Sequence, residues 1–492
     1  MRTSTLLTCV LLMGLFGCNR PDPDPLPDLF PNDGILANQG DLNALKAVGQ
    51  YKGQSSCTAV FVKFSDNLNA PAYVLTNGHC SQYWDPNAVY RSLPVPDHSV
   101  TFNLFQNVPA AERVTVAAKQ IAYSTMKGTD LAIVELAATV GDLNKRGINP
   151  LPIANALPDP GSPIRIVGVP VNDIPTEQWL LRQTTGTQGS KTNLIEFVWT
   201  WWAMYANNAP GIVGGHSGSP VMRSYREGVA GLINTTTNGG TSPCYLGHPC
   251  ELTPQGAVPR PNTNYMLSVL DVPGCIDANG NFDLNTPTCK LDKGNNVTIT
   301  GYPLGAINPD AVEILGQPRQ RTLNTTVSGY DYYRYKLSSA GTFDPSDPNG
   351  YSNPARATTL INDSLPKAEG QYTLAVIGGN MPTFDQSWQQ PAHATVGRIE
   401  IDRTPPTLKP DILVRESDTD YIVTLLFAPP ELSNYVYKFG KPPEVNASNP
   451  KGYQTYRRVP VQIPKASRPV KLVVIGYDNA GNATQPVERL FE

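Results

Sequence analysis

A serine set among glycines marks the most cramped stretch of this chain, Gly214-Gly215-His216-Ser217-Gly218-Ser219-Pro220. Such a loop can present a hydroxyl while successive backbone N–H groups point at one spot. Acyl transfer needs that combination: a nucleophile, and donors aimed where an oxyanion develops. Taken alone, a Gly/Ser loop more often only turns the chain. Two stretches upstream change its weight. Val74-Leu75-Thr76-Asn77-Gly78-His79-Cys80 ends an apolar run in a turn that carries an imidazole beside a thiol. Gly128-Thr129-Asp130-Leu131 sets a carboxylate at the mouth of another apolar run. Each also has a plain structural reading, His79 as a satisfied surface or core histidine and Asp130 as a strand-start turn residue. A buried carboxylate needs a partner, however, and an imidazole N–H supplies one. That pairing would fix the histidine tautomer and stabilise the imidazolium formed when a serine proton moves.

The elements that must position these groups read as strands. Between residues 40 and 270, short apolar runs at 58–64, 72–76, 100–105, 113–117, 131–136, 164–169, 194–200 and 228–233 are separated by turn residues. Brief helices are predicted only at 41–48 and 265–270. Many short strands with few helices mean a barrel or a sandwich, and the fold class is all-β. The 273–300 stretch, with two cysteines, reads as a Cys-clasped linker; its alternating Asp277, Asn279, Asn281 and Asp283 fit either a turn or a calcium loop. Beyond it, runs at 330–337, 371–377 and 395–401, and then at 421–427, 459–463 and 470–477, predict two β-sandwiches over 301–402 and 403–492.

In order along the chain, the His79, Asp130 and Ser217 stretches resemble the chymotrypsin/trypsin-like serine peptidase family. "LTNGHC" stands for its "LTAAHC", "TDLAIVEL" for its "NDIALLKL", and "GHSGSP" for its "GDSGGP". The order also differs from that of an α/β-hydrolase or a subtilisin. The resemblance covers about 40–272 and implies a pair of antiparallel β-barrels with the site at their junction. It implies Ser217 as nucleophile, His79 as general base and then acid, and Asp130 as the group that orients His79. The backbone N–H groups of Gly215 and Ser217 would form the oxyanion hole. Asn234 takes the place of a serine in the segment that pairs with substrate. Gly211 and Ile233 fall where pocket residues are expected, with no acid among them, which implies small or apolar side chains. His216 replaces an aspartate used in zymogen activation, so no such switch is implied. No cofactor or metal is implied. The opening Asp402-Arg403-Thr404-Pro405-Pro406 and the turn Asp478-Asn479-Ala480-Gly481-Asn482 resemble bacterial immunoglobulin-like modules.

The first residues read as an export signal: Arg2, an apolar core over 6–16, and a small residue before Cys18. Leu15-Phe16-Gly17-Cys18 resembles a lipoprotein lipobox, which implies a signal at 1–17, lipidation of Cys18 and a Pro/Asp-rich tether over 18–39. An ordinary secretory signal with an incidental cysteine is the other reading. Six further cysteines in an exported chain suggest disulfides. Neighbour pairing is the economical assignment: Cys57–Cys80, Cys244–Cys250 and Cys275–Cys289.

With Lys+Arg 38 against Asp+Glu 41 and a net charge of -3, the chain has no basic field, so nucleic acid is not an expected partner. Charged residues at 16% with Pro 47 and Gly 41 fit a turn-rich exported β-protein, too apolar for disorder. The expected partners are a protein or peptide substrate, a membrane through the lipid anchor, and other surface components for the C-terminal domains. The same features also fit a catalytically silent surface-binding or adhesion protein on the same scaffold, or an esterase. Trp199, Trp201 and Trp202 read as a core cluster rather than a cleft wall, and His98 and His393 as surface residues.

Overall fold

The computed structural model describes residues 34–492 apart from 83–84, 173, 241, 295–296, 304, 312–319, 345–346, 384–387 and 430. The export signal, Cys18 and most of the 18–39 tether lie outside the described residues.

The fold is all-β, with trypsin-like barrels followed by β-sandwiches. In the first barrel, Val114–Thr125, Ser99–Phe102, Val48–Lys52, Ser56–Phe61, Pro71–Thr76 and Leu131–Thr139 pair in that order, and the last pairs back onto the first. The second closes through Trp199–Asn207, Asn264–Ser268, Gly231–Thr236, Pro220–Met222, Pro163–Gly168 and Arg182–Glu196. Closure removes the unpaired edges that an open sheet exposes. Val60, Leu75, Ile133 and Val134 of the first barrel and Trp199, Leu232 and Leu267 of the second belong to one buried apolar cluster. Each such side chain contributes about 1.5–3 kcal/mol on burial.

Two local expectations need correction. The 194–200 run is not one strand but the tip of a hairpin, with Glu196 ending one strand and Trp199 opening the next. Phe197 turns the chain with φ 51°, and its apolar neighbours hide that turn in the sequence. Residues 265–270 are not a helix; Asn264–Ser268 is a strand held between Trp199–Asn207 and Gly231–Thr236. A short apolar run fits either state, and here two neighbouring strands satisfy its backbone. The 41–48 stretch does turn helically, as the 3-10 helix Gly40–Ala47.

The segment after the barrels does not hang free. Phe282 N–H donates to the Tyr73 hydroxyl at 3.1 Å, and Leu284 joins the barrel core. A five-stranded sheet and the pair Thr298–Thr300 with Thr326–Ser328 then enclose Ile299, Val327, Leu374, Val376 and Ile399. A second sandwich places Asp411–Glu416, Asp420–Leu426 and Val461–Pro464 over a four-stranded sheet around Val423, Tyr435, Leu472 and Val474.

The first sandwich is locked onto the barrels. Lys127 Nζ, with its side chain 3% exposed, pairs with Asp292 Oδ2 at 2.8 Å and also donates to the His393 carbonyl. Trp202 packs on Phe343 with ring centroids 5.0 Å apart. The Arg398 guanidinium donates to the Phe197 carbonyl at the hairpin tip. Gly341 lies so close to the strand Cys250–Thr253 that a Cβ there would stand 1.7 Å from the Thr253 carbonyl oxygen.

Candidate active site

His79 sits in a single helical turn, Gly78–Ser81, directly after the strand Pro71–Thr76. The Cys57–Cys80 disulfide ties that turn to the strand Ser56–Phe61. Gly78 is required here, since a Cβ would meet the Thr125 carbonyl oxygen at 2.3 Å and Asp130 Oδ1 at 2.9 Å. Asp130 immediately precedes the strand Leu131–Thr139 and is fully buried. Its Oδ2 lies 2.6 Å from His79 Nδ1, and its Oδ1 accepts the His79 backbone N–H at 2.9 Å. The carboxylate thus holds both the ring and the backbone of one residue. Burial pulls the His79 imidazole down, but the Asp130 charge and hydrogen bond, with Glu196 further off, outweigh it and raise its pKa above the ordinary value.

Ser217 belongs to the loop before the strand Pro220–Met222 of the second barrel. It lines one cavity of about 260 Å³ together with His79, at the junction of the barrels. Within the loop the N–H groups of His216, Gly218 and Ser219 donate to Val213, Ile233 and His216 carbonyls at 3.1, 2.8 and 2.8 Å. Those of Gly215 and Ser217 donate to no backbone acceptor among the described residues. Gly215 adopts φ 100°, where a Cβ would press on the Val171 N at 2.6 Å. The loop is held from the first barrel by Thr58, which is fully buried. Thr58 N–H donates to the Ser217 carbonyl at 2.8 Å, and its hydroxyl donates to the Gly215 carbonyl at 2.8 Å.

The remaining sequence candidates divide. Ile233 and Asn234 line the cavity. Both polar atoms of the buried Asn234 amide lack a hydrogen-bond partner among the described residues. Gly211 does not line it; it turns the chain with φ 71°, and the next residues, Ile212 and Val213, form the wall. Disulfides join Cys244 to Cys250 and Cys275 to Cys289. Cys57, His79 and Cys80 cluster closely enough to suggest a metal set, but both sulfurs are already joined to each other. Asp277 Oδ1 accepts the N–H groups of Asn279 and Asn281, closing that segment as a turn.

Sequence reasoning missed Glu196 and undervalued the tryptophans. Glu196 lines the cavity at the hairpin tip and is 4% exposed. It accepts from Thr235 Oγ1 and from the Gly247 N–H, each at 2.7 Å. Burial lifts its carboxyl to about 6, against the opposing pull of these hydrogen bonds. Trp199 and Trp201 are core and cavity wall at once, their rings stacked at 6.0 Å and 4°. Their two-residue spacing, which puts both on one face of a strand, was the available signal. His98 is no bare surface residue; its Nδ1 lies 2.7 Å from the buried Tyr51 hydroxyl.

Residues 57–232 match the family model of the trypsin-like peptidase domain. That stretch holds His79, Asp130 and Ser217, so the site residues fall within the part of the chain that is similar to a trypsin-like peptidase domain. That similarity supports a protease-type function with peptide or protein substrates. No curated protein sequence matches the chain. Among solved structures, the inactive form of a serine-to-alanine mutant of Rv3671c from M. tuberculosis H37Rv is similar at 15% identity and TM-score 0.29, over 49% of this chain and 90% of that one. Kallikrein-related peptidase 10 is similar at 12% identity and TM-score 0.29, over 47% and 94%. The scabies mite inactivated protease paralogue S-I1 is similar at 13% identity and TM-score 0.31, over 47% and 92%.

Proposed function

We propose that the protein is an exported serine endopeptidase that cleaves peptide bonds through an acyl-enzyme. The reading rests on one observation: His79 is gripped by both carboxylate oxygens of the buried Asp130 and opens onto the cavity that Ser217 lines. In this reading the Ser217 hydroxyl attacks the scissile carbonyl as His79 Nε2 takes its proton. Asp130 holds the Nδ1–H tautomer and stabilises the imidazolium. The oxyanion is met by the N–H groups of Gly215 and Ser217, which have no backbone acceptor of their own among the described residues. A donor so placed is worth about 3–4 kcal/mol of barrier. His79 then protonates the departing amine, and water releases the acyl group by the same steps in reverse. The paired cysteines support an oxidising compartment, and the lipobox-like stretch ending in Cys18 supports a reading as an enzyme anchored in a bacterial envelope.

The test is labelling with a fluorophosphonate. The wild type should react covalently at Ser217 and hydrolyse peptides, and Ser217→Ala should lose both. A folded wild type that takes no label would reduce the barrels to a silent scaffold.

A further inference from the structure

We infer that Lys127 is a positioning residue for the reaction, the point through which the first sandwich sets the Asp130 carboxylate against His79. The inference rests on the peptidase reading above and adds a part to its machinery. Asp130 closes the short turn between the strands Val114–Thr125 and Leu131–Thr139, and that turn is bonded from outside at successive residues. The Thr125 hydroxyl donates to the Ala88 carbonyl at 2.7 Å and accepts the Lys127 N–H at 3.0 Å. The Met126 carbonyl accepts Trp201 Nε1–H at 3.3 Å, and the Gly128 carbonyl accepts the Trp202 N–H at 2.8 Å. Lys127 Nζ, from the middle of the turn, reaches Asp292 and the His393 carbonyl.

Three of these ties lead into the sandwich. His393 ends the turn Pro391–His393, just before the sandwich strand Thr395–Ile401. Trp202 rests on Phe343. The Asn87 amide exchanges two hydrogen bonds with the Val396 backbone, each at 3.1 Å, and its neighbour Ala88 takes the Thr125 hydroxyl. On its other side the turn meets the histidine, since a Cβ on Gly78 would stand 2.3 Å from the Thr125 carbonyl oxygen. A shift of the turn therefore displaces Asp130 and the residue before His79 together. An ammonium so fully desolvated is a costly tie, and a matched apolar pair often holds a fold as well or better. What the ion pair adds is a fixed direction. A misplacement of about 1 Å, even one caused far from the chemistry, can cost roughly 100-fold in rate.

The experiment uses the full chain as wild type, as Lys127→Met with Asp292→Leu, and as Asn87→Ala. Each is checked by thermal unfolding and assayed for kcat and KM on one peptide across pH. The double variant should fold, lose about 10- to 100-fold in kcat and keep KM within about twofold. Its pH midpoint should move to the acid side, because a displaced Asp130 lifts His79 less while Glu196, the other acid acting on that ring, stays. Asn87→Ala, which orphans no buried charge, should show the same changes, with about a threefold loss in kcat. A folded double variant with wild-type kcat or midpoint overturns the inference, as does one whose loss lies in KM alone. Should the double variant fail to fold, Asn87→Ala decides, and a wild-type kcat or midpoint there overturns the inference. These results leave the peptidase reading standing so long as the wild type takes a fluorophosphonate at Ser217. A wild type that takes no label overturns that reading, and this inference with it.

Discussion

The Thr58 hydroxyl donates to the Gly215 carbonyl at 2.8 Å and accepts the Val169 N–H at 2.9 Å. A strand of the first barrel thereby holds the loop of the second that carries Ser217. Replacing Thr58 by valine keeps the volume and leaves both backbone groups unpaired. Thr58→Val should cost about 1–3 kcal/mol of stability and slow fluorophosphonate labelling, measured by denaturant unfolding and labelling kinetics.

His79 has to be neutral to accept a proton, and its pKa lies above the ordinary histidine value. Activity should therefore rise with pH through a midpoint above about 6.5. Asp130→Asn removes the charge and charged hydrogen bond that do most to lift the imidazole against burial, so the midpoint should shift to the acid side. The same variant should lose roughly 10³- to 10⁴-fold in kcat through the wrong tautomer. A pH–rate profile of both proteins reads both effects.

Glu196 links pH to stability. Its carboxyl is raised from 4.5 to about 6, so in that window the folded state binds more protons than the unfolded chain. The associated stability is present below about 4.5 and is lost as pH rises through about 6. Relative to Glu196→Gln, the wild type should lose about 2 kcal/mol between pH 4.5 and pH 7, read from denaturant midpoints.

Lys127 and Asp292 form a largely desolvated pair between the first barrel and the chain leading into the sandwich. Lys127→Ala leaves Asp292 without its charge partner and should destabilise the protein by about 3–5 kcal/mol. A double replacement, Lys127→Met with Asp292→Leu, should recover most of the loss. Thermal unfolding of the three proteins checks this.

His79, Asp130 and Ser217 were legible in the sequence because each sits in a turn, where glycines and polar residues interrupt apolar runs. Thr58, buried and hydrogen-bonded in every direction, reads in sequence as an ordinary strand residue. Its role depends on contacts with Gly215 and Val169, more than a hundred residues away. Glu196 was lost for a related reason: Leu194, Ile195, Phe197, Val198 and Trp199 surround it, so the run reads as one strand. Only the turn at Phe197 makes it a tip. Asn264–Ser268 carried no period long enough to tell strand from helix, and its neighbours decided.

Trp202 resting on Phe343 and Arg398 reaching the Phe197 carbonyl mean that the first sandwich braces the same hairpin that holds Glu196 and Trp199. A shortened protein ending near residue 300 would strand an indole in water, orphan a carbonyl and take the His393 carbonyl from Lys127. The sandwich therefore works as a buttress to the barrels, and trimming it away would yield a sticky, poorly folded fragment instead of a smaller enzyme.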